Sequence, residues 1–172
     1  MSCGNSSSKC NPCGPSEDAM NAIANRANYY ARVAQNAADQ IAGFGEAIQS
    51  TIAVGSAVSL TTATSATVTS ISLPAGEWYV NGQVDYRAGA TTSITILTQG
   101  ISTTAATLGA QDTFSRSVSA AFVPTASNDV GLPIRGQLFT LTATTTIYLV
   151  ANATFTLSTL SAYGTIQARR IR

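Results

Sequence analysis

The stretch GEWYVNGQVDYRAG, residues 76–89, alternates between two kinds of side chain. Trp78, Val80, Gly82, Val84 and Tyr86 fall on one side, and Tyr79, Asn81, Gln83, Asp85 and Arg87 on the other. A repeat of two is the period of a strand with one buried face, because successive side chains point to opposite faces of a sheet. The alternation therefore assigns Trp78, Val80, Val84 and Tyr86 to a core, and Leu-Pro-Ala-Gly at 73–76 supplies the turn leading in.

Comparable runs lie on both sides of this strand. They are TVTSISL (67–73), TSITIL (92–97), PIRGQLFTL (133–141), TTIYLVANATF (145–155) and AYGTIQARRIR (162–172), with weaker ones near 58–61 and 117–123. The sequence holds 24 Thr and 19 Ser, together a quarter of its 172 residues and mostly after residue 50. Threonine at that frequency suits β-structure. About eight strands separated by turns, with no second helical stretch, predict a mainly β fold over 51–172: an antiparallel β-sandwich of jelly-roll type.

Residues 16–50 follow a different period. Ser16 is a candidate N-cap, Glu17 and Asp18 occupy the first turn, where carboxylates favour the positive helix end, and Gly43 and Gly45 are stop signals. Between them Met20, Ile23, Ala27, Tyr30, Ala34, Ala37, Ile41 and Phe44 are spaced alternately by three and four, and Ile48 continues the series. That spacing is a heptad seam, which predicts an oligomerisation or attachment helix. Two burials suit such a seam: packing on the chain's own β-body, or packing against other copies or another protein. Its three alanines bury little area per layer, so the seam alone would hold a bundle weakly.

The head, residues 1–15, is rich in Ser, Asn, Gly and Pro and has almost nothing apolar to offset ordering entropy, which predicts a flexible tail. It contains all three cysteines, Cys3, Cys10 and Cys13. A structural zinc site wants four nitrogen or sulfur ligands, and three cysteines without histidine fall short. The odd number leaves at least one thiol per chain free or paired between chains, so an inter-chain or local disulfide and free thiols are the readings that remain.

Composition narrows the function. Charged residues make up 10% of the chain and the net charge is +1, against about 25% charged residues in an ordinary soluble domain. Little surface charge keeps copies apart, so association is expected. No Lys/Arg cluster offers a footprint for nucleic acid or an anionic membrane, and the three arginines of QARRIR read as edge protection or ion pairing with a neighbouring subunit. The absence of histidine removes the commonest general base and metal ligand. Glu77, Asp85, Asp112 and Asp129 are scattered over separate segments, and Asp129 reads as turn chemistry. No nucleotide, calcium or hydrolase motif occurs. No enzyme, cofactor or metal is expected. The start, MSCGNSSSKC, has neither a basic n-region nor an apolar h-region, so export by a cleaved signal is not expected.

The stretches SLPAGEWYVNGQVDYRAG, TTSITILTQGIST and PIRGQLFTLTATTTIYLVANATFTLSTLSAYGTIQARRIR resemble the trimeric jelly-roll modules of decoration (cement) and fibre or tailspike proteins of tailed bacteriophages. The likeness lies in the L-P-A-G-x-W entry, the TTTIYL strand and the final strand ending in Arg-Arg-Ile. The Ala/Asn-rich helix after a short Cys-containing tail resembles the virion-attachment end of phage fibres. The resemblance implies a homotrimer on the virion, assembled in the host cytoplasm, with the major capsid protein or another virion protein as partner. It implies either a capsid decoration protein or a short fibre or adhesin. In the second case the loops near 87–92, 109–116 and 124–133 would meet a host-surface glycan.

Overall fold

The computed structural model describes residues 16–41, 44–109, 114–122 and 129–171. It divides into two compact units, one ending at Ala42 and one running from Gly43 to Arg172. The described residues of the first form one helix, α1 (Glu17–Ile41). Ser16 caps it as the sequence predicts: its Oγ accepts the Ala19 N–H at 3.2 Å and its carbonyl accepts the Met20 N–H at 2.9 Å.

Among its described residues the second unit holds nine strands: β1 (Ala47–Ile52), β2 (Val58–Ser59), β3 (Ala66–Leu73), β4 (Gly76–Ala88), β5 (Ser93–Ser102), β6 (Phe114–Phe122), β7 (Val130–Leu141), β8 (Thr145–Thr156) and β9 (Leu160–Arg170). One sheet has the order β1-β9-β4-β7, with the short β2 also on β9; the other has the order β3-β8-β5-β6. The antiparallel pairs are nested: β5 with β6, β4 with β7, β3 with β8 and β1 with β9. A long hairpin rolled up on itself produces this pattern, and the sandwich is a jelly roll.

The core lies between the sheets. Trp78, Val80, Val84 and Tyr86 are buried there, with Ile147 and Leu149 of β8 and Ile166 and Ala168 of β9. The polar ends of the two core aromatics are satisfied, as burial requires. Trp78 Nε1 donates to the Pro74 carbonyl at 3.0 Å, which ties the strand to its lead-in turn, and the Tyr86 hydroxyl donates to the Thr98 carbonyl at 2.8 Å. Between β1 and β3, Ser50 and Thr69 share a 2.6 Å hydroxyl contact that joins the sheets at their margin. Gly164 is the residue that lets β9 lie so close against its neighbour β4. Its φ is +149°, and a Cβ there would stand 2.1 Å from the Gln83 carbonyl oxygen.

Two expectations are corrected. The helical segment expected over 16–50 ends at Ile41, and Ala47–Ile52 is a strand. Phe44 lies in a turn, and Ile48 packs on the sandwich core. Gly45, at φ +79°, takes a left-handed conformation that ends any helical run, and Ile48, Ser50 and Ile52 then follow the period of two. Edge protection, one of the two readings of the C-terminal arginines, is ruled out: β9 is interior to its sheet, hydrogen-bonded to β1 and β2 on one side and β4 on the other.

Candidate functional site

On α1, the seam residues Met20, Ile23, Ala27, Tyr30, Ala34 and Ala37 are all exposed, with Met20 at 56%, Ile23 at 63% and Tyr30 at 67%. At 100° per residue these positions gather with Ala24, Ala31 and Ala38 into one broad apolar stripe. Ile41 ends the helix, and Phe44 stands beyond it in the turn, 67% exposed. The helix thus presents its seam over about five turns, since six seam residues span positions 20–37. Tyr29 meets the Tyr30 ring edge-on at a centroid distance of 5.6 Å. Cys3, Cys10 and Cys13 lie outside the described residues.

On the outer face of the first sheet, β4 and β9 place Arg87 and Tyr163 near Asp129, which precedes β7. Arg87 binds the Asp129 carboxylate through two parallel hydrogen bonds, Nε to Oδ1 at 2.8 Å and Nη2 to Oδ2 at 2.7 Å. The Tyr163 hydroxyl also donates to Oδ2, and the guanidinium carbon stands 6.0 Å from the Tyr163 ring centroid. The Arg87 hydrogen bond holds the Asp129 carboxyl below its ordinary range, and the bond to Asp129 pushes Tyr163 up to about 12. Asp129 is therefore more than a turn former. It pins the residue entering β7 to β4 and β9, and so fixes one end each of two of the loops expected to meet a glycan.

The terminal arginines are partly absorbed within the chain as well. Arg170 lies 3.8 Å from Glu46, donates to the Ala75 carbonyl at 3.2 Å and covers the Trp78 ring at 5.8 Å. Among the described residues, no three His, Cys, Asp or Glu side chains come together in a way that would hold a metal ion, and no helix is long and apolar enough to cross a membrane.

Sequence reasoning missed the Arg87–Asp129–Tyr163 cluster because its members come from three segments whose pairing only the topology reveals. Their outward positions were legible for Arg87 alone. No protein-family model matches the sequence, and no curated protein matches it. Among solved structures, the chain is similar to one titled the structure of infectious bursal disease virus Gx strain, at 14% identity and a TM-score of 0.43 over 73% of this chain and 32% of that one. It is also similar to the crystal structure of the infectious bursal disease virus VP2 subviral particle, at 14% identity and a TM-score of 0.34 over 76% of this chain and 31% of that one. The chain spans about a third of the length of the chains it matches.

Proposed function

We propose that this chain is a virion structural protein, a trimeric decoration (cement) protein whose sandwich associates into trimers and whose N-terminal segment grips the outer capsid surface. The observation that carries the proposal is a division of labour between the two units. The sandwich has a complete core of its own, whereas α1 carries an exposed apolar stripe with no such core. A jelly roll with few charges is a rigid body suited to close association, and its sequence resembles the trimeric modules of phage decoration and fibre proteins. A trimer touching several capsomers at once gains effective affinity by orders of magnitude without any strong single bond. No catalytic step is needed.

The test is co-sedimentation with capsids stripped of this protein. Because β1 begins at Ala47, the truncation must stop at residue 42 to leave the sandwich whole. Full-length protein is expected to bind, and a soluble, trimeric 43–172 fragment is expected not to. Equal binding by the fragment would move the attachment surface to the sandwich and sink the anchor role of the N-terminal segment.

The second reading is a short fibre or adhesin that binds a host-surface glycan. The Arg87–Asp129 clamp favours it, since it fixes loop ends on a rigid frame, which is how binding loops are commonly held. Imaging of intact particles separates the two readings: many copies over the head mean decoration, a few at the tail mean fibre.

A further inference from the structure

The outer face of the first sheet carries a patch that neither reading uses. Strand register places Gln49, Gln167 and Asn81 side by side in one row across β1, β9 and β4. The adjoining row is Thr51, Thr165, Gln83 and Pro133. On the other flank, Tyr79 stands between Arg169 and Leu138.

Tyr79 is 45% exposed although its ring lies on the sheet. Between the pairs Val80–Gln137 and Gly82–Ile134 the register shifts, so that β7 sets Arg135 and Gly136 against Asn81 alone. The phenol lies over Gly136, where a Cβ would stand 2.0 Å from the Tyr79 oxygen. Only a residue without a side chain leaves room for the ring. Two open depressions, of about 490 and 390 Å³, share Tyr79, Asn81 and Gln167 as lining. Among the described residues, the only charged one lining either is Arg169.

The hydrogen-bonding capacity of this face is directional. Gln83 Nε2 donates to Asp85 Oδ1 at 2.9 Å and Gln49 Nε2 donates to Thr51 Oγ1 at 3.2 Å, which leaves both side-chain carbonyls as acceptors. The Asn81 and Gln167 amides make no side-chain hydrogen bond among the described residues, so each offers donors and an acceptor. A nucleic acid or acidic polymer would want several cations here, and an apolar peptide would leave the amides unpaired at a cost. A pyranose suits both features, because its C–H face covers an aromatic ring while its hydroxyls, each donor and acceptor, pair with amides.

We propose that this face, centred on Tyr79, Asn81 and Gln167, binds a neutral oligosaccharide. The proposal does not rest on the decoration reading, and it places sugar binding on the sheet instead of the loops.

The test is titration of full-length, nitrogen-15-labelled protein with cellotetraose, maltotetraose and chitotetraose, with tetragalacturonate as the anionic comparison, followed by NMR of the side-chain amides. At least one neutral probe is expected to shift the Asn81 and Gln167 signals saturably, with a dissociation constant of about 1 mM or tighter. Tyr79→Ala and Gln167→Ala, each checked for an unchanged fold by its backbone spectrum, are each expected to weaken binding at least about tenfold. Ser72→Ala, at an exposed position of β3 in the other sheet, is expected to leave it unchanged. Silence from all three neutral probes, tighter binding of tetragalacturonate, or undiminished binding by Tyr79→Ala would overturn the proposal. So would a fall in oligomer mass on Tyr79→Ala, which would mean that a second copy of the chain covers this face.

Discussion

Trp78 is fully buried, hydrogen-bonded to the Pro74 carbonyl and covered by Arg170. Truncating such an aromatic typically costs about 3–5 kcal/mol, a large part of the roughly 5–15 kcal/mol that holds a domain together. Trp78→Ala is therefore expected to leave the sandwich unfolded or melting far below wild type; a melting point within a few degrees of wild type would contradict its place in the core. At the outer face, Asp129 titrates in two linked ways. Its own carboxyl is depressed, so the stability it contributes is present above the unfolded value of about 3.9 and is lost as pH falls through the folded value below it. Its partner Tyr163 is raised to about 12, so that contribution is present below the unfolded value of about 10 and is lost as pH rises toward 12. Thermal melts across pH should show wild type above Asp129→Asn by a modest, constant margin between about pH 4 and 10, shrinking at both ends. A margin that is flat from end to end would mean that the cluster is not coupled to folding.

At the scale of the element, α1 was legible because its signals are local: Ser16 with two acids behind it, alternating steps of three and four, and glycines to stop it. Under the proposed function its stripe meets the capsid. Ile23→Asp is expected to raise the dissociation constant for stripped capsids at least about tenfold, about 1.4 kcal/mol, as read by co-sedimentation of the full chain; unchanged binding would show that the seam is not an interface. Strand β1 was not legible, because Ile48 sits four residues after Phe44 and also begins the alternating series Ile48, Ser50, Ile52, so it satisfies the helical spacing and the period of two alike. The central position of β9 was hidden for another reason. A terminal Arg-rich strand looks like an edge until its partners are known, and those partners lie near residues 47–59 and 78–88. The Tyr79 platform was half visible: alternation put Tyr79, Asn81 and Gln83 outward, but the amide row needs Gln49 and Gln167 from strands far away in sequence.

For the whole molecule, the core residues described in the jelly roll all belong to the second unit. The 43–172 fragment is accordingly expected to melt cooperatively within a few degrees of the full chain, since a domain this size shifts by roughly 2–8 °C for each kcal/mol. Calorimetry of both forms decides it, and a much lower midpoint would show that the N-terminal unit supports the sandwich.

The nested pairing also brings the two ends of the sandwich together. Gly45 donates its N–H to the Arg170 carbonyl at 3.0 Å, and Arg170 returns the bond to the Glu46 carbonyl at 2.8 Å. The sandwich is in effect a ring cut at one place, and the place of the cut is arbitrary to its core. A short peptide could join residue 171 to residue 44 while new ends open in the exposed turn at 142–144, in the manner of a circular permutation. The same nearness means that any load on the stem leading into β1 falls on the seam that closes the ring, bond by bond along β9, before it reaches the core.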